Sequence, residues 1–115
     1  MLIVEDDPLV LMVAAEALRD AGLAVVEADT ADEATRILRE GAGAFHAVFS
    51  DIEMPGKLNG IALAHMISET WPDIAVILAS GRIRPTEDEL PFRTHFLCKP
   101  YDLNHIAALI ILSCK

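Results

Sequence analysis

Residues 47–60 read Ala47-Val48-Phe49-Ser50-Asp51-Ile52-Glu53-Met54-Pro55-Gly56-Lys57-Leu58-Asn59-Gly60. The apolar run Ala47, Val48, Phe49 predicts a buried strand, and that strand ends on a single carboxylate, Asp51. A breaker-rich loop follows, with Pro55, Gly56, Asn59 and Gly60, and helical spacing resumes at Ile61. In an open parallel sheet, functional groups gather beyond the carboxyl ends of the strands. An acid at that place is a poor core residue and a candidate reactive group. It can equally be read as a strand-ending Asp that caps a turn. The other strand ends have to decide.

Outward from this stretch, the chain repeats one pattern. Leu2-Ile3-Val4 predicts a short buried strand closed by Glu5-Asp6-Asp7. Pro8 suits the first turn of a helix that continues over Leu9–Ala21, and Gly22 stands where a C-terminal glycine cap belongs. Leu23-Ala24-Val25-Val26 predicts a second strand. Thr30 and Glu33 form a capping-box pair for a helix running to about Glu40. The third strand is expected over Ala44–Ser50, delivering Asp51, and the third helix over Gly60–Thr70. Ile74–Ala79 is the strongest strand, ending at Ser80-Gly81. Pro85 and Pro91 leave the following segment room for only a short or irregular fourth helix. His95–Cys98 is the fifth strand, Lys99-Pro100 ends it, and Asp102 caps a last helix reaching about Ile111.

Strands alternating with helices predict an α/β fold with a parallel sheet and right-handed crossovers. The doubly wound rule gives the strand order 2-1-3-4-5, the flavodoxin-like (βα)5 arrangement, with the switch point between strands one and three. The 115 residues fit one domain, residues 1–115, with a single core. The composition is 53% hydrophobic, yet no apolar run approaches the roughly 18 residues of a membrane span. Nothing at the N-terminus resembles a signal peptide, and Cys98 and Cys114 make neither a disulfide framework nor a zinc pattern. A cytoplasmic protein with reduced thiols, away from the membrane, is expected. The net charge of -9 argues against direct nucleic-acid binding, which needs a basic face.

The predicted order brings Glu5 and Asp6 beside Asp51. Three carboxylates that close repel one another unless a cation intervenes. Oxygen ligands without histidine or thiolate favour Mg²⁺. The acids can also be read as favourable charge at a helix N-terminus, which suits Asp7 but not a pair abutting a buried strand. Ser80 brings a hydroxyl to the fourth strand end, and Lys99 brings a compact positive charge to the fifth. Each alone is an ordinary surface or capping residue. Together, a carboxylate nucleophile, metal-holding acids, a hydroxyl and an ammonium meet the needs of phosphoryl transfer.

Four motifs then stand in order: Val4-Glu5-Asp6-Asp7-Pro8, Ser50-Asp51-Ile52-Glu53-Met54-Pro55-Gly56, Ala79-Ser80-Gly81 and Lys99-Pro100-Tyr101. In these the chain resembles a response regulator receiver domain of two-component signal transduction over essentially its whole length. Its Ser-Gly-Arg and Lys-Pro-Tyr strand ends are similar to alphaproteobacterial stand-alone or hybrid-kinase receivers. The resemblance implies that Asp51 is the phosphoacceptor, charged by a sensor histidine kinase or a histidine phosphotransfer protein. It implies a magnesium site of Glu5, Asp6, Asp51 and the backbone carbonyl of Glu53. Ser80 would bind a phosphoryl oxygen and switch with Phe96, and Lys99 would form the ion pair. Such a domain catalyses its own phosphorylation and dephosphorylation and is not an enzyme acting on other substrates.

Some positions depart from the pattern. Phe96 lacks the hydroxyl of the commoner tyrosine, Ser80 replaces a frequent threonine, and the loop after Asp51 is one residue longer. Glu53 and Arg82 could pair over the mouth of the site and slow hydrolysis. Apolar residues lie nearly all round the last helix (Ile106, Ala107, Ala108, Leu109, Ile110, Ile111, Leu112), which suggests a homodimer or partner contact there. Two other readings use the same residues. A phosphatase of the haloacid dehalogenase type wants an acid two residues after the nucleophile, where Glu53 stands, and a substrate cap for which the chain is too short. A binding-only pseudo-receiver would hold no Mg²⁺.

Overall fold

The computed structural model describes residues 1–52, 59–80 and 94–98. Within them lie β1 (Leu2–Val4), α1 (Pro8–Asp20), β2 (Val26–Ala28), α2 (Ala31–Gly41), a 3₁₀ turn (Ala42–Ala44), β3 (Ala47–Asp51), α3 (Gly60–Thr70), β4 (Ala75–Ser80) and β5 (Thr94–Cys98). The strands form one parallel sheet in the order β2-β1-β3-β4-β5, as the alternation of elements predicts. The short fourth helix and the apolar last helix fall outside the described residues.

Every residue of β3 and β4 is buried. A central parallel strand is covered on both faces, so its sequence is continuously apolar instead of alternating. The odd-numbered residues Ile3, Ala47, Phe49, Ile77 and Ala79 face α1 and pack with Leu11, Ala14, Ala15 and Leu18. The other face carries Leu2, Val4, Val48, Val76 and Leu78 against Leu38 of α2 and Leu63, Ala64 and Ile67 of α3. The two clusters make a three-layer core with the sheet in the middle.

The helix boundaries follow local chemistry. Asp7 caps α1, its carboxylate accepting from the N–H groups of Leu9 and Val10, and Pro8 takes the first helical position. Gly22 ends this segment with φ 95°, a conformation that side chains resist. The Thr30 hydroxyl accepts the Glu33 N–H at 3.0 Å, and the Asn59 side chain accepts from Ala62 at 2.9 Å.

Three strands begin later than the sequence predicts, β4 by a single residue, at Ala75. Gly22 N–H bonds Arg19 and Leu23 N–H bonds Leu18, so Leu23 closes the helix end instead of opening a strand. Leu23 and Val25 pack at the edge of the α1 cluster, and pairing starts at Val26, opposite Leu2. Likewise Ala44 ends the 3₁₀ turn, and β3 starts at Ala47.

Candidate functional site

Register explains how the acids meet. Val4 pairs with Ser50, so the residue after β1, Glu5, is level with Asp51 at the end of β3. Glu5 N–H bonds Ala28 of β2 at 3.0 Å, and Ile52 N–H bonds Ala79 of β4 at 3.0 Å. Both chain ends are therefore anchored to neighbours as they leave the sheet. Glu5, Asp6 and Asp51 each place a carboxylate oxygen within 4.8 Å of the others. Glu5 is buried at 6% exposure and Asp51 at 9%, whereas Asp6 is exposed.

The site is small. A crevice of about 10 Å³ lies between Glu5, Asp51, Val10, Ala14, Phe49 and Ala79. That is room for about one water-sized group. One Glu5 carboxylate oxygen accepts the Asp7 N–H at 3.2 Å, which links the buried acid to the cap of α1.

The donor set fits a hard divalent cation. Oxygens bound to one Mg²⁺ at about 2.1 Å lie up to about 4.2 Å apart. A group spanning at most 4.8 Å is of that size, with water completing the shell. Acids buried this far need a cationic or hydrogen-bonding counterpart. Among the described residues the cluster contains only carboxylates, the chemistry that suits magnesium and not zinc.

Ser80 ends β4, buried at 2%, one position beyond the residue that pairs with Asp51. Phe96 pairs with Leu78, so it shares Ser80's face of the sheet, two positions below, and packs on the α2/α3 cluster. Glu53, Arg82 and Lys99 lie outside the described residues.

Three features escape a reading of motifs. The Ser50 hydroxyl donates to the main-chain oxygen of Asp51 at 2.9 Å, inside the protein. Gly60 lies so close to the Asp51–Ile52 peptide that a methyl group there would collide with it. On α1, Leu9 (64% exposed), Met12 (51%) and Val13 (49%) face outward. The last was open to inference: five successive apolar residues, Leu9–Val13, cover more than one helix face and cannot all point inward.

Residues 1–111 match the family model described as the response regulator receiver domain. A response regulator receiver domain protein from Clostridium thermocellum superposes with a TM-score of 0.84 at 26% identity, over 97% of this chain and 90% of that one. The receiver domain of the hybrid histidine kinase CckA superposes with a TM-score of 0.83 at 32% identity, over 99% and 97%. A probable two-component response regulator/GGDEF domain protein, 24% identical, shares the fold over 48% of its own length (TM-score 0.82). No helix among the described residues is long and apolar enough to cross a membrane. With the sheet order, the acids at its carboxyl edge and a family match over nearly every residue in agreement, this chain belongs to the response regulator receiver domains of two-component systems.

Proposed function

We propose that this domain takes a phosphoryl group from a histidine kinase or a histidine phosphotransfer protein onto Asp51. The observation that supports it best is the convergence of Glu5, Asp6 and Asp51 at the carboxyl edge of the sheet. A carboxylate oxygen of Asp51 forms the new P–O bond as the P–N bond of the phosphohistidine breaks and the imidazole leaves with its electron pair. Glu5, Asp6 and Asp51 would hold Mg²⁺, with the backbone carbonyl of Glu53. The ion supplies charge neutralisation for the transferring group.

Ser80 gives the phosphoryl group a hydroxyl donor, and Lys99 gives it an ammonium partner. Charge-assisted bonds to the new dianion would draw both inward. Phe96, on Ser80's face, is the bulky neighbour whose packing would change with that movement. The altered surface is what a partner reads.

The exposed apolar group Leu9, Met12 and Val13 lies on the helix that begins two residues after Asp6. It supplies the surface a partner would cover while its phosphohistidine reaches the crevice. A homodimer through the last helix and a cytoplasmic location complete the proposal.

Incubation with acetyl phosphate and Mg²⁺ tests the acceptor role. Intact-mass measurement should show one added phosphate per chain, removed by chelating the metal beforehand. Uptake independent of Mg²⁺ would contradict the reading.

A further inference from the structure

The peptide between Asp51 and Ile52 is held at both its carbonyl and its N–H, and the next carbonyl is bonded as well. Ile52 N–H donates to Ala79 at 3.0 Å, and the Ile52 carbonyl accepts Gly60 N–H at 3.0 Å. The Ser50 hydroxyl donates to the Asp51 carbonyl at 2.9 Å. Ile52 itself is fully buried. Against this peptide lies the first residue of α3, Gly60. A Cβ on Gly60 would come within 2.8 Å of Ile52 Cα and 3.0 Å of the Asp51 carbonyl carbon, and nearer still to the Asp51 oxygen. These are backbone atoms of the last residue of β3 and of the residue after it, which cannot swing aside as a flexible side chain would.

Gly60 is not required by its dihedral angles. Among the described glycines, positive φ occurs at Gly22 alone. Gly60 is helical, and helix propensity by itself favours alanine there. What demands glycine is the approach of α3 to the acceptor strand. Only two side-chain torsions separate the Asp51 backbone from its carboxylate, so a displaced peptide carries the carboxylate with it. Because Glu5 and Asp6 are anchored separately, on β1 and the start of α1, they would not follow.

Given the acceptor role proposed above, we propose that Gly60 and Ser50 are positioning residues, clamping the Asp51–Ile52 peptide so that the Asp51 carboxylate stays registered with Glu5 and Asp6. Neither touches the phosphoryl group. Gly60 acts by admitting α3, and Ser50 by tethering the carbonyl from within.

The test is phosphorylation of the full chain by acetyl phosphate across a Mg²⁺ series, at a temperature where circular dichroism shows each variant folded. For Gly60→Ala the clamp predicts a maximal rate lowered by about tenfold or more, with more Mg²⁺ needed for half-saturation. For Ser50→Ala it predicts a loss of about threefold or more. Gly41→Ala, also in a helix but with nothing within 4 Å of its added methyl, should stay within about twofold of the parent. A glycine needed only for the fold would lower the melting temperature and leave the maximal rate per folded molecule unchanged. That result overturns the proposal. Should Gly60→Ala not fold, Ser50→Ala decides, since it adds no atom, and an unchanged rate there overturns the clamp. If the parent takes up no phosphate, the acceptor role fails by itself. Calorimetric titration of the same variants with Mg²⁺ alone then reads the clamp: weaker binding supports it and equal binding overturns it.

Discussion

Asp6 and Asp51 hold carboxylate oxygens within 4.8 Å of each other although one lies in solvent beyond β1 and the other is nearly buried at the end of β3. The pair is asymmetric. Asp51 is fixed by the sheet around it, whereas Asp6 stands exposed at the rim. Buried Glu5 backs both.

That asymmetry predicts how metal binding divides. Asp6→Asn should weaken Mg²⁺ binding by about tenfold or more, because it removes one charged ligand from a site with few of them. Glu5→Gln keeps the shape and the bond from Asp7 N–H, and should weaken binding less. Isothermal titration of both variants with MgCl₂ checks the order, and a stronger effect at Glu5 would reverse the assignment.

The exposed face of α1 predicts a separation between small and protein phosphodonors. Leu9→Glu with Met12→Glu should slow transfer from a cognate phosphorylated kinase or phosphotransfer protein by about tenfold or more. Labelling by acetyl phosphate should change little, since neither side chain lines the crevice. Radiolabel transfer with both donors measures it. Equal loss with both would mean that α1 itself had been damaged.

Core and surface apolar residues should respond very differently. Ile67, fully buried between α3 and the sheet, should cost about 2–5 kcal/mol when cut to alanine. Met12→Ala, half exposed, should stay within about 0.5 kcal/mol. Urea denaturation followed by circular dichroism distinguishes them.

On α2, hydrogen bonding from Arg36 holds the Glu33 carboxyl below the ordinary carboxylate range, and both groups are exposed. A lowered folded value gives stability that is present above the unfolded value, about 4.3, and lost as pH falls through the folded one. The melting temperature of Arg36→Met should therefore trail the parent at about pH 6 and converge on it near pH 3. The gap should be small and shrink in high salt, as solvent screens exposed pairs. A gap that widens in acid would contradict this sign.

How much was legible in the chain depended on whether the signal was local. The sheet order and the meeting of Glu5, Asp6 and Asp51 were readable because short apolar runs ended on charged or polar residues, a pattern that topology then assembles. The start of β2 was misplaced because Leu23 and Val25 are apolar for a different reason, closing the end of α1. The outward face of α1 was legible in principle, since five successive apolar residues, Leu9–Val13, cannot all point inward. The close approach of Gly60 and the Ser50 tether have no local signature: a glycine in a breaker-rich loop and a serine in a strand look ordinary until the third dimension places them against Asp51.

The acceptor claim is tested most directly by trapping the product. Borohydride reduces an acyl phosphate to an alcohol, turning a phosphorylated aspartate into homoserine. After acetyl phosphate and Mg²⁺, peptide mapping by tandem mass spectrometry should find homoserine at position 51 and none in Asp51→Asn. Homoserine at Asp6 or elsewhere, or equal phosphate uptake by Asp51→Asn, would contradict the account.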